Sequence, residues 1–115
     1  MPVATEIRLD KAARVLHVAF DDGSAFALPA EYLRVESPSA EVQGHSPAEK
    51  KTVAGCRSVN IVGITPVGNY AVRLTFDDRH DTGIYSWEYL HELGREQESR
   101  WQAYLDALAA KGLSR

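Results

Sequence analysis

The chain has 115 residues, 44% of them hydrophobic and 25% charged, with a formal net charge of −3 and an isoelectric point near 5.8. That composition excludes a disordered chain, and a length of this order buries roughly two thirds of the unfolded surface, enough for one core, so residues 1–115 are read as a single domain. Lys and Arg are scattered, with Lys50-Lys51 the one basic pair, so the basic stripe that releases counterions from a nucleic acid is missing.

Along the chain, Ile7 and Leu9 alternate with polar neighbours, and Leu16, Val18 and Phe20 point one way, which predicts two strands. Asp21-Asp22-Gly23-Ser24 supplies the turn chemistry of a hairpin, and Phe26 and Leu28 continue the apolar face on the returning strand. Pro29 suits the start of a helix, because its missing N–H would be unpaired there anyway, and this predicts a short helix over Ala30 to Val35. The stretch from Glu36 to Arg57 is rich in small and polar residues and has no sustained period. It reads as a long loop, and loops of that length are commonly functional.

Strand pattern resumes over Val59 to Thr65, breaks at Pro66-Val67-Gly68-Asn69, and returns with Tyr70, Val72, Leu74 and Phe76 on one face. Asp77 to Thr82 forms the next turn and Gly83 to Tyr85 a short strand. Ser86 caps a helix that runs to Leu93 and stops at Gly94. A last helix covers about Arg95 to Lys111, with Trp101, Tyr104, Leu105 and Leu108 on the face that should pack on the sheet. The chain also repeats itself: Phe20-Asp21-Asp22 to Glu31-Tyr32-Leu33 is matched by Phe76-Asp77-Asp78 to Glu88-Tyr89-Leu90, offset by 56 residues at the first block and 57 at the last. The expected fold is therefore α+β in two layers, antiparallel strands from two similar half-repeats packed against a C-terminal amphipathic helix. Its expected core is Leu16, Val18, Phe20, Phe26, Leu28, Val72, Leu74, Phe76, Leu90, Trp101, Leu105 and Leu108.

A catalytic reading needs a constellation of groups. No nucleophile elbow, phosphate-binding glycine loop or dinucleotide fingerprint occurs. His91-Glu92 opens like a zinc-protease motif, but position 95 is Arg. The four histidines are followed two residues later by Ala19, Pro47, Thr82 and Leu93, so the His-x-acid pair of many non-haem iron sites is absent. His45, Cys56, His80 and Asp81 are the conceivable metal ligands, against the alternative of solvated histidines. Cys56 alone can make no internal disulfide, which fits a reducing compartment, and it reads as a small buried apolar residue. The N-terminal stretch has no signal-peptide pattern, and no apolar run nears the roughly 18 residues of a membrane span, so a cytoplasmic location is expected.

The run from Val72 through Asp77-Asp78-Arg79-His80-Asp81-Thr82-Gly83 to Trp87-Glu88-Tyr89-Leu90, with Leu33 to Val42, resembles the gamma-butyrobetaine hydroxylase-like N-terminal domain family. The resemblance extends from about Thr5 to Leu108. In the carnitine-synthesis hydroxylases of that family the domain precedes a separate oxygenase domain that holds the iron. Similar domains stand alone in bacteria or accompany iron–sulfur carrier ATPases. The resemblance thus implies an accessory domain rather than an enzyme, with a protein partner such as an enzyme or an iron–sulfur carrier ATPase. The family's hydroxylases bind zinc through Cys-x-Cys-x-x-Cys and a distant histidine, positions that here read Ser37, Ser39, Val42 and His80. No cofactor is therefore expected, because hydroxyls are poor zinc ligands and valine offers none. A metal or iron–sulfur accessory role, with zinc or iron held by His80 with His45 or Cys56, is the alternative, and an unrecognised small-molecule enzyme a third. The expected partner face joins the loop from Ser37 to Cys56 to the turn Asp77 to Thr82. It includes Ser37, Ser39, Val42, His45, Arg79, His80 and Asp81, with His80 as a surface hydrogen-bonding residue.

Overall fold

The computed structural model describes residues 2–39, 42 and 52–115. Period-two alternation produces β1 (Ala4–Asp10), β2 (Val15–Phe20) and β3 (Ala25–Pro29), which pair antiparallel in the order β1-β2-β3. The Asp22 carboxylate shapes the β2–β3 turn by accepting from the backbone N–H of Ser24 at 2.9 Å, and Gly23 takes φ 88°, where a Cβ would be strained. Helix α1 (Ala30–Val35) starts directly behind Pro29. The second half repeats the plan: β4 (Ile61–Val67), β5 (Ala71–Phe76) and β6 (Ile84–Ser86) pair antiparallel in the order β4-β5-β6, and α2 (Trp87–Arg95) follows. The Ser86 hydroxyl caps α2 by accepting from the N–H of Tyr89 at 3.1 Å. A final helix, α3 (Gln97–Ala110), completes the α+β fold.

The internal repeat extends to individual hydrogen bonds. Phe20 N–H donates to Ser24 O at 2.9 Å and Phe76 N–H to His80 O at 2.9 Å; Asp21 N–H donates to Val3 O and Asp77 N–H to Asn60 O, each at 2.9 Å. The two first strands share a register irregularity, between Ala4 and Glu6 in one and Ile61 and Gly63 in the other. His80 thus stands where the first half has Ser24, and Arg79 where it has Gly23.

One cluster of buried residues draws on both sheets: Leu16, Val18, Phe20 and Leu28 meet Ile61, Val72, Leu74, Phe76 and Tyr85, with Tyr32 and Leu33 of α1 and Leu90 and Leu93 of α2. Burying a large aliphatic or aromatic side chain contributes about 1.5–3 kcal/mol, so this shared cluster couples the two halves. Each buried tyrosine hydroxyl has a carbonyl to donate to: Tyr32 to Leu93 O at 2.7 Å, and Tyr85 to Leu33 O. Among the described residues no helix is long and apolar enough to cross a membrane.

Several expectations change. Tyr70 is 58% exposed because the β4–β5 turn extends through it and β5 starts at Ala71. Strand β4 runs on through Pro66, which an edge strand tolerates because its missing N–H breaks no inner ladder. Gly94 does not end α2; it lies inside it, where the ring of Phe26 packs on its Cα. Phe26, Trp101 and Leu105 are only partly buried, and the C-terminal helix meets the shared cluster through Trp101. Its Tyr104 and Leu108 instead form a small separate cluster with Val35, and Tyr104 donates to Val53 O at 2.7 Å. Arg100 on the same helix pairs with the buried carboxylate of Glu36 at 3.0 Å.

Candidate functional site

Where α1 ends, the chain from Arg34 to Ser39 runs alongside the turn between β5 and β6, and the two segments touch in step. Arg34 Nε pairs with Asp78 Oδ2 at 2.8 Å, Ser37 Oγ meets His80 Nε2 at 2.8 Å, and Ser39 Oγ meets Thr82 Oγ1 at 2.8 Å. Asp78 also braces the turn from within, its Oδ1 accepting from the backbone N–H of His80 at 3.1 Å. This repeats what Asp22 does for Ser24 in the first half.

Of the expected pairing between the Ser37–Cys56 loop and the Asp77–Thr82 turn, the contacts of Ser37 and Ser39 are present, but the expected exposure of these residues is not. Ser37 is 0%, Val42 2%, His80 5% and Ser39 8% exposed, so His80 is not a surface residue, and none of the four can form a contact face by itself. These positions are close-packed: a Cβ on Gly83 would lie 2.6 Å from Ser37 Oγ and 3.1 Å from Tyr85 Cε1. Arg79 and Asp81, at the tip of the turn, are exposed. His45, and with it residues 40–41 and 43–51 of the long loop, lies outside the described residues.

Chemically, the Ser37–His80 contact has the atoms of a nucleophile and a base, but a serine with no exposed surface admits no substrate without rearrangement. The neighbouring Tyr85 hydroxyl is fully buried, and burial holds it well above the ordinary phenol range, so it acts as a neutral donor. Cys56 is buried, and burial raises its thiol pKa too, with Sγ 3.7 Å from Ala54 O. That matches the reading of a small, inert core residue.

The zinc that the family resemblance raises does not fit these positions. They offer two hydroxyls, a valine hydrocarbon and one imidazole whose Nε2 already meets Ser37 Oγ. Among the described residues no group of three or more His, Cys, Asp or Glu side chains converges as a metal cage would require. The expectation of solvated histidines fails for His91 as well as His80. His91 is 14% exposed at its side chain, lies 2.9 Å from Asp22 Oδ2, and sits edge-on to the rings of Phe20 and Phe26. Asp22 is held down to about 2, first by its hydrogen bonds from Ser24 and then by His91.

Sequence reasoning gave Thr82 as the end of the turn without a partner for it, and passed over Arg34 and Gly83. It also passed over the backbone of Arg79, which adopts φ 73°, the left-handed region that Gly23 occupies in the equivalent turn. The signal was present, since aligning the two half-repeats places an arginine opposite a glycine.

The family model described as gamma-butyrobetaine hydroxylase-like, N-terminal, matches residues 7–91. Two proteins solved by NMR in solution are similar over 100% of this chain. One is 43% identical, with 90% of its own length covered and a TM-score of 0.87, and the other is 49% identical, with 86% covered and a TM-score of 0.87. A crystal structure of a protein of unknown function from Acidithiobacillus ferrooxidans, assigned to the DUF971 family, is 42% identical over 79% of this chain and 91% of that one, with a TM-score of 0.66. No curated protein matches the chain.

Proposed function

Because the chain belongs to the gamma-butyrobetaine hydroxylase-like N-terminal family, we propose that it works as a non-catalytic accessory module, binding a protein partner through the tip of the Asp77–Thr82 turn. The observation that carries this reading is Arg79, an exposed, non-glycine residue held at φ 73°. Left-handed backbone costs an ordinary residue on the order of 1 kcal/mol, and such strain persists where the surroundings impose it and clusters at binding sites. The turn geometry imposes it here, through the bonds from Phe76 N–H to His80 O and from His80 N–H to Asp78 Oδ1, and Arg34, Ser37 and Ser39 hold Asp78, His80 and Thr82 in place. In this reading Arg79 and Asp81 contact the partner, while Ser37, Ser39, Val42 and His80 support them from beneath. An enzyme or an iron–sulfur carrier ATPase is the partner class the family context suggests.

Cross-linking in the native host, followed by mass spectrometry, tests it. R79G relaxes the turn without unfolding it, so R79G/D81A should fold normally and lose the cross-links made by the wild-type protein. An unchanged set of cross-links with the double variant would overturn the proposal.

A further inference from the structure

Glu31, in the first turn of α1, is a carboxylate only 6% exposed at the floor of a groove of about 630 Å³ lined by Pro29, Tyr32, Gly94, Glu98 and Trp101. A buried carboxylate without a partner is costly, and here the partner is Arg115. Its guanidinium forks onto both oxygens, Nε to Oε2 at 3.1 Å and Nη2 to Oε1 at 2.7 Å, and its Cζ lies over the Trp101 ring at 5.2 Å. The two partners are unequally held. The Glu31 side chain is 7% exposed, whereas Arg115 is 40% exposed and belongs to residues 111–115, all of them exposed beyond the end of α3.

We propose that this groove is an arginine-recognition site, and that Arg115 is its internal occupant, displaced when an arginine side chain of a protein partner enters. Two features select a guanidinium over an ammonium: two carboxylate oxygens presented together and a flat indole face beside them. With Arg115 withdrawn, Glu31 and Glu98 face Arg95 across the groove, leaving one net negative charge to attract a cation. Arg95 itself is engaged with His91 Nδ1 at 3.1 Å and does not fill the site. Backbone bonds from Leu113 N–H to Leu108 O at 2.9 Å and from Gly55 N–H to Ser114 O at 3.2 Å anchor the backbone before Arg115, so displacement moves its side chain and leaves the core intact. The inference rests on the reading of the chain as a binding module and adds the chemistry of the partner's side chain.

The test is an NMR titration that follows the Trp101 indole, using acetyl-arginine amide, acetyl-lysine amide and the peptide acetyl-Gly-Arg-Gly amide as probes. Because a tethered side chain competes at millimolar effective concentration, R115A should bind the arginine probes on the order of tenfold more tightly than wild type. R115K should fall between them, E31Q/R115A should bind neither, and the lysine probe should fail throughout. Equal binding to wild type and R115A, binding that survives E31Q, or equal response to lysine would overturn the assignment. A peptide that binds no more tightly than the free amide would overturn the protein-partner part by assigning the groove to free guanidinium compounds. If R115A ignores every probe while R79G/D81A still loses its cross-links, this inference fails and the accessory-module reading stands.

Discussion

The ring of Phe26 packs so closely on the Cα of Gly94 that an added Cβ would sit 2.3 Å from Phe26 Cγ. This one approach fixes how α2 docks on β3. Alanine at position 94 would gain helix propensity worth about 1 kcal/mol, but overpacking costs about 1–3 kcal/mol, so G94A should lower stability by up to about 2 kcal/mol. Denaturant melts check this, and F26L should restore most of the loss in G94A. A G94A protein more stable than wild type would show that the ring moves aside freely.

Ser37→Ala leaves the imidazole of His80 facing a methyl group in a buried setting, at a cost of about 1–3 kcal/mol. G83A should have a similar effect from the other side, because its Cβ would collide with Ser37 Oγ. Hydrogen exchange in the Asp77–Thr82 turn should quicken in both variants more than exchange in β2, which would locate the loss at the brace rather than in the core.

Phe76 is 1% exposed, in the cluster shared by both sheets. Truncation to alanine should cost about 3–5 kcal/mol in chemical unfolding. Leu105, read from sequence as core but only partly buried, should cost distinctly less.

Asp22 supplies an acid-sensitive part of stability. Its folded pKa of about 2 lies below the ordinary 3.8, so its contribution is present above pH 3.8 and disappears as pH falls through 2. Melting temperatures of wild type and D22N should therefore differ at neutral pH and converge between pH 4 and pH 2, a window set by those two values. Curves that stay parallel across that window would show that Asp22 acts through geometry alone.

The strands, both aspartate turns, the Pro29 and Ser86 helix starts and the two half-repeats were all legible in the sequence, because each depends on neighbours a few residues apart. Alternation writes itself into Leu16-Val18-Phe20, and a side-chain cap needs only three residues, as at Ser86 and Tyr89. What tertiary structure decided was which polar groups meet. Nothing local tells that Ser37 touches His80, 43 positions away, or that Glu31 receives Arg115 across 84. The sequence could rank Gly94 only as a helix stop, since the reason for its missing side chain is the ring of a residue on another strand. Burial of His80 was hidden for the same cause. A histidine in a turn reads as solvated until another segment covers it, and coverage is set by how the half-repeats pack together rather than by any spacing along the chain.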